Sequence, residues 1–179
     1  MEALPLRRVV LTGGECTGKT TLASLLARRF DTLWVPEFVR EYAEGKGAPL
    51  DASDVEPIAS GQIAAQDWAA ERAIGLLVLD TDLVSTVVYA RHYYGSCPGW
   101  IEEAARGSRG DLYLLCHPDL PWLPDGVRDR GGARAELHAL FEEELRSAGV
   151  AVVDVRGDWG IREERAAAAV DSLLARRAL

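Results

Sequence analysis

Apolar positions recur along the chain in two rhythms. Short unbroken apolar runs predict strands over 8–12, 33–36, 75–79, 111–116 and 150–155. Runs such as Leu76-Leu77-Val78-Leu79 and Val150-Ala151-Val152-Val153 have the character of strands covered on both faces. Between them a three-to-four-residue spacing predicts helices over 20–30, 39–44, 55–74, 83–94, 100–106, 133–148 and 161–177. Strands that alternate with helices imply an α/β fold, a parallel five-stranded sheet flanked by helices. The Pro- and Gly-rich stretches 46–50, 95–99 and 117–132 read as loops, and no repeat or linker divides the chain. A single domain over residues 1–179 is expected from the length.

The junction of the first strand and first helix carries Gly13-Gly14-Glu15-Cys16-Thr17-Gly18-Lys19-Thr20, which matches G-x-x-x-x-G-K-[ST]. Chemistry demands these residue types. Glycines let the backbone curl until successive N–H groups face a phosphate, and the helix N-terminus adds positive potential. Lys19 supplies a point charge, and the Thr20 hydroxyl can hold Mg²⁺. Residues Gly14 through Thr21 are therefore expected to bind a nucleoside triphosphate such as ATP.

Ligands of open α/β sheets lie beyond the carboxyl ends of the strands. The residues at those positions are polar. Glu37 and Arg40 follow the second strand, and Asp80-Thr81-Asp82 follows the third. Asp80 occupies the usual station of a Mg²⁺-organising carboxylate. Asp82 either caps the next helix or points into the site. Glu37 is placed to orient an acceptor hydroxyl and take its proton, or to pair with Arg40. Arg128, Arg130 and Arg134 surround Gly131-Gly132, as in a lid that closes over phosphates, at about 124–135. On the helix over 55–74, Ile58, Gly61, Gln62, Ala65, Trp68 and Arg72 share one face. Gln62 and Trp68 there suit a flat ligand on which the indole stacks, or else Trp68 is half-buried packing.

Composition narrows the partners. The formal net charge of -8 argues against general binding of nucleic acid or anionic membrane. Cys16, Cys97 and Cys116 are too few and too dispersed for a disulfide framework or a metal cluster. The start of the sequence lacks the apolar core of a signal peptide, and the longest apolar runs are strand-length, so the reducing cytoplasm is expected. Oligomeric state, a homo-oligomer included, is not encoded in these patterns.

Several stretches together resemble the ribosylnicotinamide (nicotinamide riboside) kinase domain of bacterial NAD biosynthesis proteins. They are the phosphate loop, Pro36-Glu37-Phe38-Val39-Arg40-Glu41-Tyr42, Asp80-Thr81-Asp82, Tyr93-Tyr94-Gly95, and Pro121-Trp122-Leu123-Pro124-Asp125-Gly126-Val127-Arg128. The resemblance implies a P-loop NTPase fold of the nucleoside/NMP-kinase type with an Arg-bearing lid. It implies transfer of the ATP γ-phosphate to the 5′-hydroxyl of nicotinamide riboside, a small-molecule substrate. Lys19, Glu37, Asp80, Asp82 and Arg128 would serve catalysis, with Thr20 and Asp80 at Mg²⁺. Glu37, Phe38, Arg40, Gln62, Trp68, Asp82 and Trp122 would hold the riboside, and Asp158-Trp159 would lie by the adenine. Two departures stand out. Cys16-Thr17 replaces the usual Ser-Ser, and Pro36 stands where relatives often carry an aromatic, leaving Phe38 or Trp68 to wall the nicotinamide. Nothing resembles the adenylyltransferase or repressor domains of many relatives, so the kinase alone is expected. The competing readings are a kinase for another nucleoside or small metabolite, and an ATPase or switch acting on a protein.

Overall fold

In the computed structural model, residues 5–121 and 134–176 are described. Five parallel strands, β1 (Arg7–Thr12), β2 (Leu33–Val35), β3 (Leu76–Asp80), β4 (Leu112–Cys116) and β5 (Val152–Val155), lie in the order β2-β3-β1-β4-β5. Among the described residues seven helices connect and cover them: α1 (Lys19–Arg29), α2 (Phe38–Lys46), α3 (Val55–Ala70), α4 (Leu83–Tyr94), α5 (Gly99–Gly107), α6 (Arg134–Ala148) and α7 (Trp159–Ala175). A 3-10 turn, Ala52–Asp54, leads into α3.

Alternation along β1 decides the layers. Val9 and Leu11 face α1 and α7, where Leu22, Leu26, Ala166 and Val170 are buried. Val10 faces the other way, towards Val84, Val88, Tyr89, Leu137 and Phe141 of α4 and α6. Full burial of Leu22 or Leu26 stabilises the fold by about 1.5–3 kcal/mol each. The central strands β3 and β4 are buried at every position, which explains their unbroken apolar sequence.

The predicted bounds of α4 match the observed ones because both ends are marked locally. Asp82 accepts a hydrogen bond from the Val84 amide, and Gly95 closes the helix in the left-handed conformation. The helix predicted to reach 74 stops earlier, at Ala70. The chain must turn there into β3, which leaves Ile74 91% exposed, so an apolar residue misled the periodicity. Because β1 is hydrogen-bonded to β3 on one side and β4 on the other, the loops leaving all three open at one end of the sheet. The site lies there.

Candidate active site

The phosphate loop is held in shape by its own sequence. Gly18 takes φ 83 as the residue before α1, and an added Cβ would lie 2.6 Å from the Trp159 ring. A Cβ on Gly13, at φ 125, would meet the Cys116 carbonyl at 2.6 Å. The Thr17 hydroxyl donates to the Gly14 carbonyl at 2.9 Å, and the buried Lys19 ammonium donates to that same carbonyl at 2.7 Å. Lys19 thus points its charge back over the loop. No acidic residue occupies the first turn of α1, and that helix end favours an anion.

Behind the loop stands a pair of carboxylates. Thr20 donates to Asp80 Oδ2 at 2.5 Å, while Asp80 Oδ1 is buried and has no hydrogen-bond partner among the described residues. Burial pushes the Asp80 carboxyl above its ordinary range and the negative charge of Glu37 adds to this, against the opposing pull of Lys19 and the Thr20 hydroxyl. An orphaned carboxylate oxygen beside a threonine hydroxyl suits a hard, oxygen-seeking cation. Glu37, itself only 6% exposed, precedes α2 and pairs with Arg40 Nε at 3.5 Å.

Glu37 also lines a cavity of about 730 Å³, bounded by α2, the 47–51 loop, α3 and one face of α4. Gln62 lies on its wall. The Phe38 amide donates to Gln62 Oε1 at 2.8 Å, which leaves Gln62 Nε2 buried and without a partner among the described residues. Glu37, Glu44 and Asp51 give the described lining three acids, and it contains no lysine or arginine.

Trp68, Phe38 and Asp82 are also expected at the site, and the structure places each of them away from the described cavity lining. Trp68 is 58% exposed on the outside of α3, with the Arg72 guanidinium 4.3 Å over its ring, and does not line the cavity. Phe38 contributes its amide, while its ring lies against Gly61 rather than on the cavity wall. Asp82 serves structure. Its Oδ1 caps α4 through the Val84 amide and its Oδ2 accepts from the Tyr113 hydroxyl at 2.5 Å. Both oxygens therefore turn into the protein.

Burial is the main reason the Asp82 carboxyl is pushed up to about 6 from an ordinary 3.8, the Tyr113 hydroxyl and backbone amides pulling the other way. A folded-state value above the unfolded one means that the folded protein holds the proton more tightly. The stability contributed by Asp82 is then fullest below 3.8 and is lost as pH rises through about 6. Asp82→Asn is expected to flatten the dependence of urea midpoints on pH across that window while keeping turnover within a few-fold of wild type. A steeper pH dependence, or turnover lost a hundredfold, would return Asp82 to the chemistry.

Asp158 caps α7 by accepting from the Ile161 amide at 3.0 Å, and the half-exposed Trp159 ring lies against Gly18 of the phosphate loop. Trp122 and Arg128, with the lid around Arg130, fall outside the described residues. Arg134 lies within them and donates to the Cys16 carbonyl at 3.3 Å and the Leu120 carbonyl at 3.0 Å.

Sequence reasoning missed Arg162. It is fully buried and donates to the carbonyls of Thr17 at 3.0 Å, His117 at 3.0 Å and Gly157 at 2.8 Å, and pairs with Asp119. The signal was present, since Arg162 lies on the buried Ala166-Val170 stripe of α7 at helical spacing.

A family described as an AAA domain matches residues 8–165. The trifunctional NAD biosynthesis/regulator protein NadR of Escherichia coli (strain K12) is 32% identical over 156 residues, 84% of this chain. The chain spans 38% of that protein's length. A crystal structure of NadR in complex with NAD and AMP-PNP superposes with a TM-score of 0.78 at 27% identity, covering 94% of this chain and 49% of the other. A second NadR structure, in complex with NR, gives 0.76 at 27% identity and covers 97% and 52%.

Proposed function

The chain belongs to the AAA domain family, and on that premise we propose that it is an ATP-dependent nicotinamide riboside kinase. It transfers the γ-phosphate to the 5′-hydroxyl and releases nicotinamide mononucleotide. The observation that carries this reading is the place of Glu37. One carboxylate lines the acceptor cavity and also acts electrostatically on Asp80 beside the phosphate loop. An acceptor hydroxyl held at Glu37 is therefore presented to the loop that holds the donor.

In this reading the loop amides and Lys19 hold the β- and γ-phosphates, and the Trp159 ring lies beside the loop as a face for the purine. Asp80 and Thr20 would hold Mg²⁺, which supplies charge neutralisation on the phosphates. Glu37, oriented by Arg40, aligns the 5′-hydroxyl and takes its proton late in transfer. Gln62 Nε2 offers its unused donor to an acceptor atom of the riboside. Trp122 at the riboside and Arg128 at the phosphates are proposed from the family resemblance alone. The acidic lining favours a cationic ring, which the pyridinium of nicotinamide riboside is. The NR complex of NadR and the NAD biosynthesis role in the name of the curated relative support the same substrate. We assign this activity to one domain working in the cytoplasm. No helix among the described residues is long and apolar enough to cross a membrane.

Mg·ATP-dependent ADP release should be measured with nicotinamide riboside, adenosine, uridine and no acceptor. The expected result is release that depends on nicotinamide riboside, with one nicotinamide mononucleotide formed per ADP. Release independent of acceptor would move the protein to the ATPase class, and preference for another nucleoside would move the substrate.

A further inference from the structure

A phosphate loop is built to attract anions, yet this one contains a carboxylate, Glu15, that is only 4% exposed. A negative side chain beside the phosphate seat weakens nucleotide binding unless it is held aside. One of its contacts comes from far along the chain. The Tyr93 hydroxyl donates to Glu15 Oε1 at 2.9 Å, across 78 positions of sequence.

Tyr93 is fixed by packing. It lies in the last turn of α4, its ring stacked on Tyr89 with centroids 5.9 Å apart and planes within 8°. Tyr89 in turn meets the edge of the buried Phe141 of α6 at 5.7 Å and 76°. The hydroxyl is therefore aimed by a row of aromatic rings anchored in the core. Those same rings, Tyr89 and Tyr93, form part of the acceptor cavity wall. One side chain thus lines the acceptor cavity and reaches the phosphate loop with its hydroxyl.

We propose that Tyr93 is a positioning residue that couples the acceptor cavity to the phosphate loop by holding the Glu15 carboxylate away from the nucleotide phosphates. Two arrangements are involved. With Glu15 held by Tyr93, the loop presents its amides and Lys19 to an anion. With Glu15 released, its charge swings towards the same seat and repels the triphosphate. An acceptor packed against the Tyr93 ring favours the held arrangement, so acceptor and nucleotide strengthen each other's binding by the same factor. The nucleotide half of this inference stands without an identified acceptor, while the acceptor half rests on the nicotinamide riboside reading.

The test removes the hydroxyl and keeps the ring. Tyr93→Phe should weaken binding of Mg·AMP-PNP, measured by titration calorimetry without acceptor, by about tenfold. Glu15→Gln in the Tyr93→Phe background should restore that affinity, because an amide does not repel phosphate. A purely structural loss would not be rescued in this way. In a second arm, nicotinamide riboside should tighten AMP-PNP binding to wild type and lose that effect in Tyr93→Phe. Undiminished AMP-PNP affinity in Tyr93→Phe, or no rescue by Glu15→Gln, overturns the proposal. Failure of nicotinamide riboside to bind wild type overturns the substrate reading instead, and leaves the first arm to decide Tyr93.

Discussion

Lys19→Ala is expected to lower kcat for phosphoryl transfer by about 10²–10³-fold, the usual loss when one preorganised electrostatic donor to a developing charge is removed. The reason lies in where the ammonium is held. Its Nζ is buried and bonded to the Gly14 carbonyl inside the loop, so its charge acts where little water screens it. Stability should change little, since Lys19 begins α1 and alanine is an excellent helix former. Lys19→Arg is expected to fail almost as badly, because a planar guanidinium cannot take the place of a compact ammonium on that carbonyl. A coupled assay of ADP formation at saturating Mg·ATP, alongside thermal melting, decides the matter. Turnover above a tenth of wild type in a folded Lys19→Ala protein would remove the lysine from its assigned role.

The sequence revealed those parts of the site that are built locally and hid those built across the fold. The phosphate loop is one continuous stretch, and its required backbone shape is written into Gly13 and Gly18. The positions of Glu37 and Asp80 follow from a single topological rule about strand ends, so their place at the open end of the sheet is legible without the strand order. Helix α4 was bounded correctly because Asp82 and Gly95 act within a few residues of themselves. Trp68 shows the opposite case. At about 100° per residue, six positions carry it roughly 120° around the helix from Gln62, so a stripe broad enough to include both cannot say which faces the cavity. Gln62 turned inward and Trp68 outward. Asp82 offered two roles that local sequence could not separate. The decision came from Tyr113, 31 positions away, whose hydroxyl takes the oxygen left over by the helix cap. The Glu15–Tyr93 contact and the bonds of Arg162 likewise join residues far apart in sequence, and only the sheet order β2-β3-β1-β4-β5 brings them together.

Arg162→Met should produce the largest loss of stability of any single change near the site. Methionine retains much of the volume and the apolar stem, so the effect isolates the guanidinium. The Asp119 partner is 41% exposed, and that ion pair contributes little on its own. The weight lies with the carbonyls. Thr17, His117 and Gly157 all accept from this one side chain, and the bond to Thr17 is fully buried. Each buried acceptor left without a donor costs about 1–3 kcal/mol. With the part-buried acceptors regaining some water, a total of about 3–5 kcal/mol follows, the range found when a buried charged network loses one partner. Arg162→Lys should recover less than half of it, since an ammonium cannot reach three carbonyls that a planar fork spans. Because Thr17 belongs to the phosphate loop and His117 and Gly157 follow β4 and β5, the same loss should loosen the nucleotide seat. Urea unfolding read by circular dichroism, and AMP-PNP titration of the folded fraction, should therefore shift together. A loss below about 1 kcal/mol would mean that water replaces the guanidinium and that Arg162 is not the clamp of the loop.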